Sequence, residues 1–246
     1  MRSFRIAGAL LALAVLAGCA GQVKNASLHN SISGKADQSM PRRMLLLPPD
    51  IRVHEISAGG VVEKVDAWTQ SANGHAMKSV REIGSSKKLF ELKEAPTLSA
   101  EDKGVLDQHL ALYELVAISA DFSRSGPFAP WRERAQNFDY TLGPGLKDLA
   151  EHSDMDAALI VIGSDYISSA GRKATMALGV LAAALTGVVV VPRGGIAFVS
   201  VGVVDLRTGA LLWFSTNRGK QNDLRDEEQV RDVLESLFQE YPGAAR

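Results

Sequence analysis

The alternation of apolar and polar positions divides the chain into short strands and longer helices. Met44-Leu45-Leu46-Leu47 is an apolar run ended by Pro48-Pro49, which predicts a buried strand with an abrupt stop, because proline brings no amide hydrogen to a ladder. Arg52-Val53-His54-Glu55-Ile56 and Val61-Val62-Glu63-Lys64-Val65 flank Ser57-Ala58-Gly59-Gly60, the pattern of a β-hairpin with a glycine-containing loop. Trp68, Ala72, Ala76, Val80 and Ile83 then recur at helical spacing behind Asp66, a capping residue type, and Gly84-Ser85-Ser86 ends that helix. A second helix opens at Ser99 with Asp102 at the capping-box position. Leu106, Leu110, Tyr113, Ala117 and Ala120 form its inward stripe.

Residues 123–145 are rich in Gly, Pro and aromatics, among them Pro127, Phe128, Pro130 and Trp131, and leave room for a short helix near residues 132–138. Residues 146–152 read as a brief helix. Residues 157–162 (Ala-Ala-Leu-Ile-Val-Ile) are continuously apolar, as a central strand covered on both faces should be. Residues 196–205 and 210–215 pair as a hairpin around Leu206-Arg207-Thr208-Gly209, with Gly209 suited to the left-handed position of a bulged turn. The last helix runs from about Asp223 to Tyr241 with Val230, Val233, Leu234, Leu237 and Phe238 inward, and Pro242-Gly243 stops it. The sum is a mixed β-sheet flanked by helices, of the α/β or α+β class.

The first residues have a different logic. Arg2 and Arg5 precede an uncharged apolar stretch over residues 6–16, a targeting segment too short to span a bilayer comfortably. Leu16-Ala17-Gly18-Cys19 follows and resembles the lipobox of bacterial lipoproteins. The resemblance implies cleavage between Gly18 and Cys19, a diacylglycerol on the Cys19 thiol and a fatty acyl chain such as palmitate on the new amino group. Two or three chains anchor a protein stably where one does not. Ala20 stands where an Asp would resemble an inner-membrane retention signal, so the analogy implies an outer-membrane, periplasm-facing location. Cys19 is the only cysteine, which excludes a disulfide within one chain and a thiolate metal site and leaves the thiol free to carry the anchor. The expected organisation is a signal peptide over residues 1–18, a lipidated cysteine with a small polar tether over 19–39, and a single domain over 40–246.

Removing residues 1–18 leaves 228 residues with 25 Lys and Arg against 28 Asp and Glu, a net charge of −3. That balance gives no concentrated basic face, so no nucleic-acid partner is expected. Three stretches together carry a family resemblance: Met44-Leu45-Leu46-Leu47-Pro48-Pro49-Asp50, residues 156–166, and the hairpin Val203-Val204-Asp205-Leu206-Arg207-Thr208-Gly209-Ala210-Leu211-Leu212-Trp213. On a lipoprotein they resemble the TolB N-terminal-like superfamily, whose members include the curli secretion channel lipoprotein and lipoprotein activators of penicillin-binding proteins. The resemblance is scattered over about residues 43–240 and its motifs are structural, so it implies a fold more than an activity.

Catalytic signals are weak. Residues 166–173 depart from a phosphate-binding loop at Tyr166, Arg172 and Lys173, so they read as a solvated basic loop. His29, His54, His75, His109 and His152 have no metal-ligand spacing. Ser164 lacks the glycine of a nucleophile elbow, and Asp165 beside Asp154 and Asp156 makes no dyad. No cofactor and no catalytic or metal residues are expected. One segment stands out: residues 174–191, without a charge, lie within an apolar insertion at about 168–194. Gly179, Ala183 and Gly187 recur every fourth residue as a smooth ridge for close helix packing. As a helix the segment would be about 27 Å long, and it reads as a buried core element, an oligomer contact or a membrane-inserting piece. With the aromatics Phe128 and Trp131, which also read as a satellite core under a long loop, it is the expected contact surface of a non-enzymatic assembly, scaffolding or activator module, whose partner is another envelope protein or a second copy. Two other functions stay open: a homo-oligomeric pore or transport component inserting residues 174–191, and a periplasmic enzyme assembled from distant residues.

Overall fold

The computed structural model describes residues 26–125, 137–186, 195–219 and 222–243. Eight strands share one mixed sheet: β1 (Ala26–Leu28), β2 (Arg43–Leu46), β3 (Asp50–Ile56), β4 (Val62–Lys64), β5 (Glu91–Glu94), β6 (Ala157–Ser168), β7 (Ala197–Asp205) and β8 (Leu211–Gly219). Among the described residues six α-helices accompany them: α1 (Ala36–Ser39), α2 (Asp66–Ser86), α3 (Ala100–Ser125), α4 (Lys147–Ser153), α5 (Ala170–Thr186) and α6 (Glu227–Phe238).

Strand β6 is the hub. One edge pairs antiparallel with β7 from Ala157↔Asp205 to Asp165↔Ala197. Its other edge pairs in parallel with two strands in succession, β2 at Leu45↔Ala158 and β3 from Asp50↔Ile162 to Ile56↔Ser168. Pro48-Pro49 separates those two partners. The prolines break the ladder, so the chain runs along β6 in two segments, and each acquires its own outer neighbour, β5 on β2 and β4 on β3. Beyond β7 come β8 and then the short edge strand β1.

The period of two along β6 explains its unbroken apolar run. Ala157, Leu159 and Val161 face α2 and α6, in a core with Leu46, Val53, Val201, Trp213 and Phe238. Ala158, Ile160 and Ile162 face α3 and α4, with Leu45, Tyr113, Ala117, Val204 and Phe214. The result is a three-layer arrangement of the expected α/β class. Fully buried Trp213 stacks on Phe238 at 5.5 Å between ring centroids and meets Tyr241 edge-on at 5.1 Å, fastening α6 to the sheet. Gly209 has a positive φ of 74° in the β7–β8 turn, with a register shift at Val203/Val204, as the turn pattern predicts.

Several expectations change. Ordered structure begins well before Met40: Ala26–Leu28, inside the stretch read as a tether, pairs with Ser215–Trp213, and Ile32 is buried. Asp66 does not cap α2; Val65 occupies the cap position, and Asp66 pairs with Lys64 at 2.9 Å. Strand β5 has no counterpart in the pattern reading, because Glu91-Leu92-Lys93-Glu94 is an edge strand with a single apolar residue. Helix α5 covers 170–186, and over residues 174–178 and 180, whose side chains are described, it does not form a buried core element. Ala170, Gly171, Lys173, Ala174, Thr175, Ala177, Leu178 and Val180 are all exposed. No described helix is long and apolar enough to cross a membrane.

Candidate interaction surface

The orientation of α3 is set by what it buries. Ser99 Oγ accepts the Asp102 amide at 3.1 Å and donates to the Asp102 carboxylate at 2.8 Å, starting the helix as its capping pattern predicts. Leu106, Tyr113, Ala117 and Ala120 then enter the core. Three polar ties hold the second half of α3 to the sheet. Buried Tyr113 shares a 2.9 Å hydrogen bond with Ser200 of β7, and its ring lies against Gly202, where an added Cβ would sit 2.5 Å from the hydroxyl. Arg52 of β3 donates to Glu114 at 2.8 Å and to Asp50 at 2.6 Å. Buried Asp121 accepts from Thr216 at 3.0 Å and from Arg218 at 2.8 Å, both on β8.

With that face fixed, the opposite face of α3 points to solvent, and it is not polar. Gly104, Gln108, Ala111, Leu115, Ile118 and Phe122 are separated by steps of four and three residues, so they line one narrow stripe directly away from the core. All six are exposed, and Leu115 and Phe122 keep 66% and 64% of their surface open. Leu112 flanks the stripe on one side; Asp107 and Glu114 flank it on the other. No charge lies in the row itself. Sequence reasoning missed it, although the four-three spacing was present to be read.

The second apolar surface is α5. Ser169 ends the β6 crossover: its amide donates to Ile56 O at 2.9 Å and its hydroxyl accepts the Arg172 amide at 3.2 Å, which starts the helix. Residues 166–173 are therefore a strand end and a helix cap, not a phosphate loop. Leu178 and Val180 are 66% and 57% exposed, and Val61 and Val62 of the β3–β4 hairpin are exposed as well. Of the expected contact residues, Gly179 and Ala183 lie within α5, whereas Phe128, Trp131 and Gly187, like Gly18 and Cys19, fall outside the described residues.

The remaining candidate chemistry is dispersed. His54 stacks on Tyr166 at 4.8 Å, His75 Nδ1 lies 3.9 Å from Glu227, and His109 Nδ1 meets Val105 O at 2.7 Å. Among the described residues no three His, Cys, Asp or Glu side chains gather as a metal site. Asp165, the lone carboxylate of the β6 end, is buried and accepts the Leu224 amide at 2.9 Å. Burial pushes its carboxyl above the ordinary aspartate range; the Leu224 amide opposes that, neighbouring Asp223 adds to it, and Arg225 offsets part. Arg225 is itself engaged, with Asp223 at 2.7 Å and over the Trp68 ring at 4.5 Å. Asp165 thus pins the loop before α6. Asp154 takes a left-handed conformation with φ 56° at the end of α4, and exposed Asp156 pairs with Arg207 at 3.1 Å.

No family model matches the chain, and no curated protein matches it. Among solved structures it is similar to the PelC dodecamer of Paraburkholderia phytofirmans, at 11% identity over 80% of this chain and 89% of that one, with a TM-score of 0.32. It is also similar to the LpoB C-terminal domain of Salmonella enterica, at 14% identity over 78% and 92%, with a TM-score of 0.27. Likenesses this loose carry no argument about activity or partners.

Proposed function

We propose that this chain is a lipid-anchored lipoprotein of a bacterial cell envelope that works by protein–protein contact, as an assembly, scaffolding or activator module. The anchor rests on Leu16-Ala17-Gly18-Cys19 behind a basic and apolar leader. The observation that carries the contact reading is the outer row of α3, where Leu115, Ile118 and Phe122 stand exposed on a helix whose other face is fully used by the core. A helix with an apolar stripe on each side is built to be covered twice, because each exposed large apolar side chain forgoes about 1.5–3 kcal/mol of burial. The contact partner is another envelope protein or a second copy, and the location is the periplasmic side of the outer membrane.

The test is the native mass of the full-length protein, solubilised gently from its own membranes, for the natural chain and for Leu115→Glu. A complex present in the first and lost in the second supports the reading. A natural chain that runs as a lone monomer sinks it. A second reading, a pore or transport component that places residues 174–191 in a bilayer, is favoured by the exposure of Leu178 and Val180. It predicts membrane attachment that survives Cys19→Ser.

A further inference from the structure

We propose that the outer row of α3 is the seam of a two-fold dimer, in which α3 of one copy lies antiparallel along α3 of a second copy. The inference rests on the reading of that row as a contact surface and names its occupant.

Side-chain size along the row sets the orientation. From the start of α3 to its end the row reads Gly104, Gln108, Ala111, Leu115, Ile118, Phe122, so the side chains facing solvent are small or polar in the first half and large and apolar in the second. A parallel pair would set Phe122 against Phe122 and Gly104 against Gly104, forcing the axes apart at one end and leaving a gap at the other. An antiparallel pair sets Leu115 on Ala111, Ile118 on Gln108 and Phe122 on Gly104. Each large side chain meets a small or flexible one and the axes keep a constant separation, as close helix packing requires. The two-fold axis then passes between the two helices at the height of residue 113, midway along the row, and every contact occurs twice, which is the form of an isologous interface. Gly104 suits its place: an added Cβ there would meet nothing within 4 Å in its own chain, so a facing Phe122 ring has open surface to lie on.

The flanks are compatible. Glu114 lies beside the axis and would face its own symmetry mate, but each is held by Arg52 of its own copy at 2.8 Å. Asp107 is held in the same way by Lys103 at 2.6 Å. On the other flank Leu112, also exposed, faces its own counterpart and extends the apolar contact. A row with its large residues at both ends or in the middle would show no such preference for its own copy.

The experiment uses full-length chains with two different tags, produced together and kept in their membranes, with mild oxidation. One carries Gly104→Cys and the other Phe122→Cys, and the reference is the chain whose sole cysteine is Cys19. The expected result is a cross-link between the two tags in the mixed sample, and its loss when both chains carry Phe122→Cys. The pair Ala111→Cys with Leu115→Cys repeats the test nearer the axis in case one variant folds poorly. In parallel, the solubilised natural chain should have twice the mass of the Leu115→Glu chain. Cross-linking of Phe122→Cys to itself without a mixed product overturns the antiparallel seam. Absence of any cross-link in both pairs, with helical content unchanged, overturns self-association. If Leu115→Glu still removes an envelope complex in that case, the contact reading survives and the second copy does not.

Discussion

Asp165 shows how one buried side chain can make stability depend on pH. Its carboxyl is buried at the end of β6, and burial raises its folded-state titration above the unfolded value. A raised carboxyl holds its proton in the folded state at a pH where the unfolded chain has released it. Its stability contribution is therefore greatest below the ordinary aspartate range and is lost as pH rises through the folded value. Denaturant titrations between pH 4 and 7 should show the natural chain gaining stability over Asp165→Asn as pH falls; a constant difference would contradict the buried environment. Gly202 makes a steric prediction. An added Cβ would crowd the Tyr113 ring, so Gly202→Ala should cost about 1–3 kcal/mol of unfolding free energy, by the usual cost of overpacking. Neither role was legible beforehand. Asp165 finds its partner amide 59 residues away and Tyr113 its hydroxyl 87 residues away, and local spacing carries no information about such meetings.

At the level of elements, periodicity read the inward faces well and the outward faces poorly. The inner stripes of α2, α3 and α6 were plain because apolar residues at helical spacing have one dominant cause, and the structure buries Ala72, Ala117 and Leu234 accordingly. The second stripe of α3 was in the same sequence, but one amphipathic face already accounted for the helix. Strand β5 escaped because an edge strand needs few apolar residues, and β1 because its three residues gain their order from β8 rather than from their own pattern. Exposure makes the proposed contact role of α3 and α5 testable without knowing a partner. Leu115→Glu and Phe122→Glu should each change unfolding free energy by only about 0.5 kcal/mol, as surface substitutions do, while abolishing the complex. Leu178→Asp in α5 should be equally mild by thermal unfolding. A loss of several kcal/mol there, the size of a core truncation, would mean that α5 is covered within its own domain.

For the molecule as a whole, the mixed sheet with helices on both faces was readable because β6 is apolar at every position from Ala157 to Ile162, which only two-sided cover explains. The order of the strands was not, since the split of β2 from β3 at Pro48-Pro49 and their shared use of β6 are tertiary choices. The lipid reading is tested at this scale: Cys19→Ser should move the protein from the membrane fraction to the soluble one and abolish labelling by a fatty-acid analogue. The pairing of β1 with β8 has one more consequence if Cys19 is the anchor. Only Ala20 to Asn25 separate the lipid from a residue stitched into the sheet, a leash of at most about 25 Å when fully drawn out. The domain would be moored close to the bilayer, its search for partners confined to a thin layer above the lipid. Any pull on it would be borne first by the three-residue ladder of β1, the seam where the molecule would begin to peel.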